Sequence, residues 1–151
     1  MNRLLFRVTA SLVLAAALLP GCGGIKLADD QSHLLTFNTQ LRGANEVPPV
    51  SSIGSGQVDA VLNKDTSLLR WKLSYTNLSG PATAGHFHGP APEGANARVV
   101  LPFPGQMAPV MEGSATLTAA QVADLVAGRW YANIHTAAHP SGEIRGQMTL
   151  R

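Results

Sequence analysis

The chain of 151 residues carries a single cysteine, Cys22. That excludes an intrachain disulfide and any thiolate-rich zinc site. Charge is scarce as well: 13% of residues are charged, with 11 Lys and Arg against 9 Asp and Glu. Two of the basic residues, Arg3 and Arg7, lie in the first 21 residues, which hold no acid. Beyond them 9 basic residues face 9 acidic ones, and the balance makes no case for nucleic acid. No long apolar run is present. The stretch 12–19 is shorter than the roughly 20 residues a membrane-spanning helix needs. There is no Gly-x-Ser-x-Gly elbow, no P-loop, no His-Glu-x-x-His, no internal repeat and no heptad pattern.

The amino terminus reads MNRLLFRVTASLVLAAALLPGC. A short basic region, an apolar run and a break at Pro20-Gly21 form the layout of a secretory signal peptide. Leu19-Pro20-Gly21-Cys22 resembles the lipobox of bacterial lipoproteins, although Pro20 is not a favoured residue at its position. The resemblance implies cleavage after residue 21, a lipidated Cys22 and a tether over 22–32. Gly23, and not an aspartate, follows the cysteine. By the enterobacterial sorting rule this points to the outer membrane, with the lipid holding the chain to the bacterial cell envelope. A thiol committed to lipid is not a catalytic nucleophile.

From residue 33 onward, short alternating runs are separated by Gly, Pro, Asn and Ser. The period of two predicts strands over 33–41, 56–62, 68–75, 83–88, 98–101, 113–117, 130–135 and 143–150. Residues 56–62 and 68–75 read as a hairpin turning at Asn63-Lys64-Asp65. One short helix is expected over 118–127, with Thr118 as N-cap, Gln121 three residues on, and Gly128 as terminator. Its apolar face is Val122, Leu125 and Val126. The expected fold is all-β, an antiparallel Greek-key sandwich or barrel with that helix.

Four segments carry a family resemblance: LRGANEVPPV (41–50), AGHFHGPAPEGANA (84–97), LTAAQVADLVAGRWYANIHT (117–136) and HPSGEIRGQ (139–147). In this order they resemble the CHRD domain, named after chordin and common in bacterial exported proteins. The resemblance runs over about 34–151, so the domain is placed at 33–151. In animal chordin the domain belongs to a growth-factor antagonist, which implies no such partner for a bacterial lipoprotein. Locally, His-x-His is also similar to the strand of copper–zinc superoxide dismutases that supplies two copper ligands. The dismutase disulfide cysteines and a matching zinc loop are not found.

Four of the five histidines fall in two of these segments. His86 and His88, two apart on a strand, point to one face with Cα atoms about 6.5–7 Å apart. Tyr131, Asn133 and His135 share another face, and the loop stopped by Pro140 is able to curl His139 toward His135. Taken singly, these are exposed strand and loop residues. Taken together, four imidazoles without a thiolate suit Cu(II), Zn(II) or Ni(II). The expected ligands are therefore His86, His88, His135 and His139, with copper as the cofactor in an oxidising compartment and zinc as the alternative. Glu46 is a candidate acceptor for a ligand imidazole N–H. Arg145 is a candidate for drawing an anion such as superoxide to a redox-active copper, or else an ion-pair partner of Glu143. His33 lies outside the motifs, and Met107 and Met111 read as packing residues. Two functions follow: a copper-binding envelope lipoprotein with superoxide dismutase-like redox activity, or a non-enzymatic binding or structural module, without metal or with a structural zinc.

Overall fold

A computed structural model describes residues 31–151. The expected signal peptide, the lipidated Cys22 and most of the tether lie outside the described residues. The strands are β1 (Leu34–Arg42), β2 (Ser55–Asn63), β3 (Leu68–Thr76), β4 (Ala82–His88), β5 (Val99–Pro102), β6 (Val110–Thr116), β7 (Tyr131–Thr136), β8 (Ile144–Gln147) and β9 (Thr149–Leu150). They form one antiparallel sheet in the order β5-β4-β7-β8-β1-β2-β3-β6, with β9 paired to β1, and it curls into a half-barrel. The all-β expectation holds in this single-sheet form.

The alternation read from the sequence sets the register. Val58, Ala60 and Leu62 of β2 and Leu69, Trp71 and Leu73 of β3 are buried, while Arg70 and Lys72 face out. The chain crosses from β3 near one edge to β4 near the other, and aromatic rings join the two sides. The Phe87 ring lies 5.4 Å from Trp71, 5.0 Å from Phe103 and 5.8 Å from Trp130. Gly113 of β6 lacks a Cβ where one would collide with the Trp71 ring.

Helix α1 (Ala119–Val126) has the expected capping box, in which Thr118 Oγ1 accepts from the Gln121 N–H and the Gln121 side chain accepts from the Thr118 N–H. Leu125 is fully buried and Val122 packs on the core, but Val126 is 40% exposed, so the expected apolar face is narrower by one residue. Most strand ends fall within one residue of expectation, and two strands depart further. β6 begins at Val110, three residues before the alternation suggested, because Val110 pairs with Ser74. The expected strand 143–150 is broken at Met148, whose side chain is buried and whose N–H turns to donate to Trp130 O at 2.8 Å.

Candidate metal centre

β4 and β7 are neighbours, with His86 opposite Asn133 and Ala84 opposite His135. Strand alternation sends Phe87, Ala132 and Ile134 into the core. It sends His86, His88, Asn133 and His135 to the other face. Loops close over that face. The segment after β4 is drawn onto it by Arg145, which donates to Ala95 O at 2.7 Å and to Asn96 Oδ1 at 2.9 Å, and by Tyr131 Oη, which accepts from the Ala97 N–H at 3.1 Å. His88 is 8% and His135 9% exposed in consequence, and His86 is half-buried.

The three imidazoles converge. One ring nitrogen from each of His86, His88 and His135 lies within 4.8 Å of the others. Bonds of about 2.0–2.1 Å to a common ion span at most about 4.2 Å between two ligand nitrogens. The trio is therefore gathered closely enough that ring movements on the order of an ångström bring it to a common ion. Backbone carbonyls face the outer ring nitrogens. His88 Nδ1 is 3.0 Å from Ala97 O, and His135 Nδ1 is 3.0 Å from Pro140 O. A carbonyl oxygen only accepts, so these contacts suit the tautomer with hydrogen on Nδ1, in which both Nε2 atoms present lone pairs to an ion. His86 Nδ1 lies 3.1 Å from His135 Nε2. Outer partners that fix the tautomer in this way are the usual support of metal-ligating imidazoles.

The electrostatics keep the rings neutral. Burial lowers the pKa of all three, and the neighbouring imidazoles lower those of His86 and His135 further. For His88 burial is the largest cause, and Arg145 adds to it against the raising effect of Ala97 O and Asn133. Neutral imidazole is the form that donates a lone pair.

The other expected site residues lie elsewhere. His139 is not in the cluster. A tight turn, with the His139 N–H donating to Thr136 O at 3.1 Å and the Thr136 N–H to His139 O at 3.3 Å, carries it away to a cavity of about 210 Å³ that it lines with Glu46, Pro48 and Gly142. Glu46 is 5% exposed, and the Nδ1 atoms of His88 and His135 face backbone carbonyls, not its carboxylate. Among the described residues its Oε1 has no hydrogen-bond partner. Burial raises its pKa to about 7, against the opposing effects of Arg145, the Val47 N–H and the Asn133 amide.

Arg145 is 2% exposed, with its guanidinium 3.4 Å above the Tyr131 ring. That ring in turn stacks on His88, with centroids 4.7 Å apart and planes 2° from parallel. Tyr131 lies on β7, between the strands of the other two, so Arg145 holds the His88 ring through a stack. It does not pair with Glu143. That carboxylate accepts instead from Ser52 Oγ at 2.7 Å, Ser79 N–H at 2.8 Å, Ser79 Oγ at 2.6 Å and Thr136 Oγ1 at 2.7 Å. Asn133 and Tyr131 were not singled out in the sequence, although their alternation with His135 places all three on one face.

The sequence profile of the CHRD domain matches residues 37–148, and the chain belongs to the CHRD domain family. No curated protein and no solved structure matches it. The family match carries no likeness to copper–zinc superoxide dismutases.

Proposed function

We propose that this CHRD domain is a metal-binding module, with His86, His88 and His135 as its ligands and copper as the preferred ion. The observation that carries the reading is the arrangement of the trio: one ring nitrogen from each of His86, His88 and His135 lies within 4.8 Å of the others, with backbone carbonyls at the Nδ1 atoms of His88 and His135. Copper follows from an all-imidazole set in an oxidising compartment, and zinc is the alternative. A bound copper would supply one-electron chemistry; the protein's part is to orient three neutral rings and to keep them dry under the loop held by Arg145. Arg145 is committed to that loop and to Tyr131, which favours a holding role for it over anion steering.

The setting is part of the same proposal. A lipid on Cys22 would tether the domain to the bacterial envelope, on the outer membrane by the residue that follows. Replacing Cys22 by Ser is expected to move mature protein out of the membrane fraction, and an unmodified Cys22 in soluble wild-type protein would contradict the anchor. The metal reading is tested on the purified domain by metal analysis after separate copper and zinc loading, with the spectrum of bound Cu(II). One copper per chain with nitrogen hyperfine structure supports it; no retained copper or zinc refutes it. Superoxide consumption by the copper-loaded domain separates a redox enzyme from a binding module.

A further inference from the structure

The two lone pairs at the centre face something unexpected. Asn133 Oδ1 is 3.0 Å from His88 Nε2 and 3.0 Å from His135 Nε2. Each ring thus lies between two acceptors, a backbone carbonyl at Nδ1 and Asn133 Oδ1 at Nε2, and a neutral imidazole has one proton for the two. In the tautomer a metal would take, with hydrogen on Nδ1, the amide oxygen confronts two unprotonated nitrogens with no hydrogen to join them. Three acceptors drawn together in a buried place are what a cation resolves. The amide orientation has its own support. Asn133 Nδ2 lies on the Glu46 side: it and Glu46 Oε1 both border the position a Cβ of Gly142 would take, and the amide acts to lower the Glu46 pKa. An ideal Cβ at Gly142 would collide with Glu46 Oε1 and come within 2.8 Å of Asn133 Nδ2, so the glycine leaves room for the two to sit side by side. Turning the amide over would set its oxygen against the Glu46 carboxylate.

We propose that Asn133 Oδ1 is a fourth donor to the metal, making a three-nitrogen, one-oxygen set, and that Glu46 is the positioning residue that keeps this oxygen turned toward the imidazoles. The inference rests on the metal reading above. An amide oxygen is a harder donor than imidazole, so it favours Cu(II) over Cu(I) and leaves the site able to hold zinc. A carboxylate beside Nδ2 polarises the amide and makes its oxygen the better donor. Glu46 thus acts on the ion through Asn133, behind the atoms that would bind it.

The test uses the purified domain at pH 8 and compares wild type, Asn133→Ala, Glu46→Gln, Asn133→Asp in the Glu46→Gln background, and His88→Ala. Cu(II) affinity is read by competition with a chelator, and coordination by electron paramagnetic resonance. Asn133→Ala is expected to shift the copper hyperfine parameters and weaken binding about tenfold or more; Asn133→Asp, made together with Glu46→Gln so that no second carboxylate faces it, keeps an oxygen there and is expected to bind at least as tightly as Glu46→Gln alone. Glu46→Gln should lose about 10–100-fold, as losses of outer partners of metal ligands do. In wild type, Zn(II) should also move the Asn133 side-chain amide resonances, a readout that needs no variant to fold. If His88→Ala loses copper while Asn133→Ala keeps the wild-type spectrum and affinity, the metal reading stands and the fourth donor is refuted. If wild type takes neither ion, both fall.

Discussion

Glu143 provides a test of the energetics beside the site. Its carboxylate is fully buried, yet four hydrogen bonds from Ser52, Ser79 and Thr136 reach it, and among the described residues no cation pairs with it. Burial alone would raise its pKa; the bonds from Ser79, Ser52 and Thr136 more than offset this and hold it at about 2, against an ordinary 4.5. Each unit is worth about 1.4 kcal/mol, so the fold favours the ionised form by on the order of 3 kcal/mol. Because the folded pKa is depressed, the unfolded chain binds more protons between pH 4.5 and 2. Stability is then complete above about pH 4.5 and is lost as pH falls toward 2. Glu143→Gln removes the charge but keeps the shape. Its amide cannot accept from all of these donors at once, and the Ser79 N–H cannot reverse its role. The expected cost at pH 7 is about 3 kcal/mol, a fall of about 1–3 M in the urea midpoint for slopes of about 1–3 kcal/mol per M. Urea titrations of wild type and variant at steps from pH 7 to 2.5 give the difference, from which the other carboxylates cancel. The gap should shrink steadily below pH 4.5. A gap under about 1 kcal/mol at pH 7, or one that stays constant down to pH 2.5, would refute the reasoning, since charge-assisted bonds are worth about 1.5–3 kcal/mol each.

Glu46 carries the opposite sign. Burial raises its pKa to about 7, so the folded state holds a proton the unfolded chain releases, and stability falls as pH rises from 4.5 to 7. Without added metal, Glu46→Gln should therefore be more stable than wild type at pH 8, by up to about 3 kcal/mol, and equal to it near pH 4; lower stability at pH 8 would contradict the burial argument. At α1, Thr118→Ala should cost about 1 kcal/mol through the lost cap. Val126→Ala, at an exposed position, should stay within about 0.5 kcal/mol. Chemical denaturation distinguishes the two, and equal losses would show that the cap is not what stabilises the helix end.

Much of the fold was readable because its strands are half-buried. Val58-Ala60-Leu62 and Leu69-Trp71-Leu73 alternate cleanly, and each of these side chains is buried. The helix was equally plain, since a capping box is a local device written in two residues. The misread boundaries lie where long-range pairing decides. Val110 joins β6 only because Ser74 lies opposite, and Met148 leaves the ladder to meet Trp130. At the site, the spacing of His86 and His88 is a strand property and was sufficient. His139 was misplaced because the chain between Thr136 and His139 closes a backbone turn that directs the imidazole to Glu46's cavity. The partners of the His88 and His135 Nδ1 atoms, Ala97 O and Pro140 O, are backbone atoms on loops and leave no mark in residue type.

The central claim is that one ion joins β4 and β7 through His86, His88 and His135. Copper-dependent melting tests it most directly. With free Cu(II) a hundredfold above its dissociation constant, binding stabilises the fold by about 2.7 kcal/mol, a rise on the order of 10 °C for a domain of this size. The rise should be absent in the His86→Ala, His88→Ala double variant and in His135→Ala, and kept in His139→Ala and His33→Ala. It should fade as pH drops through and below the ordinary imidazole range near about 6.5, since protonated rings do not bind. A wild-type melting temperature that copper and zinc leave unmoved, or a full rise in the His86→Ala, His88→Ala variant, would contradict the account.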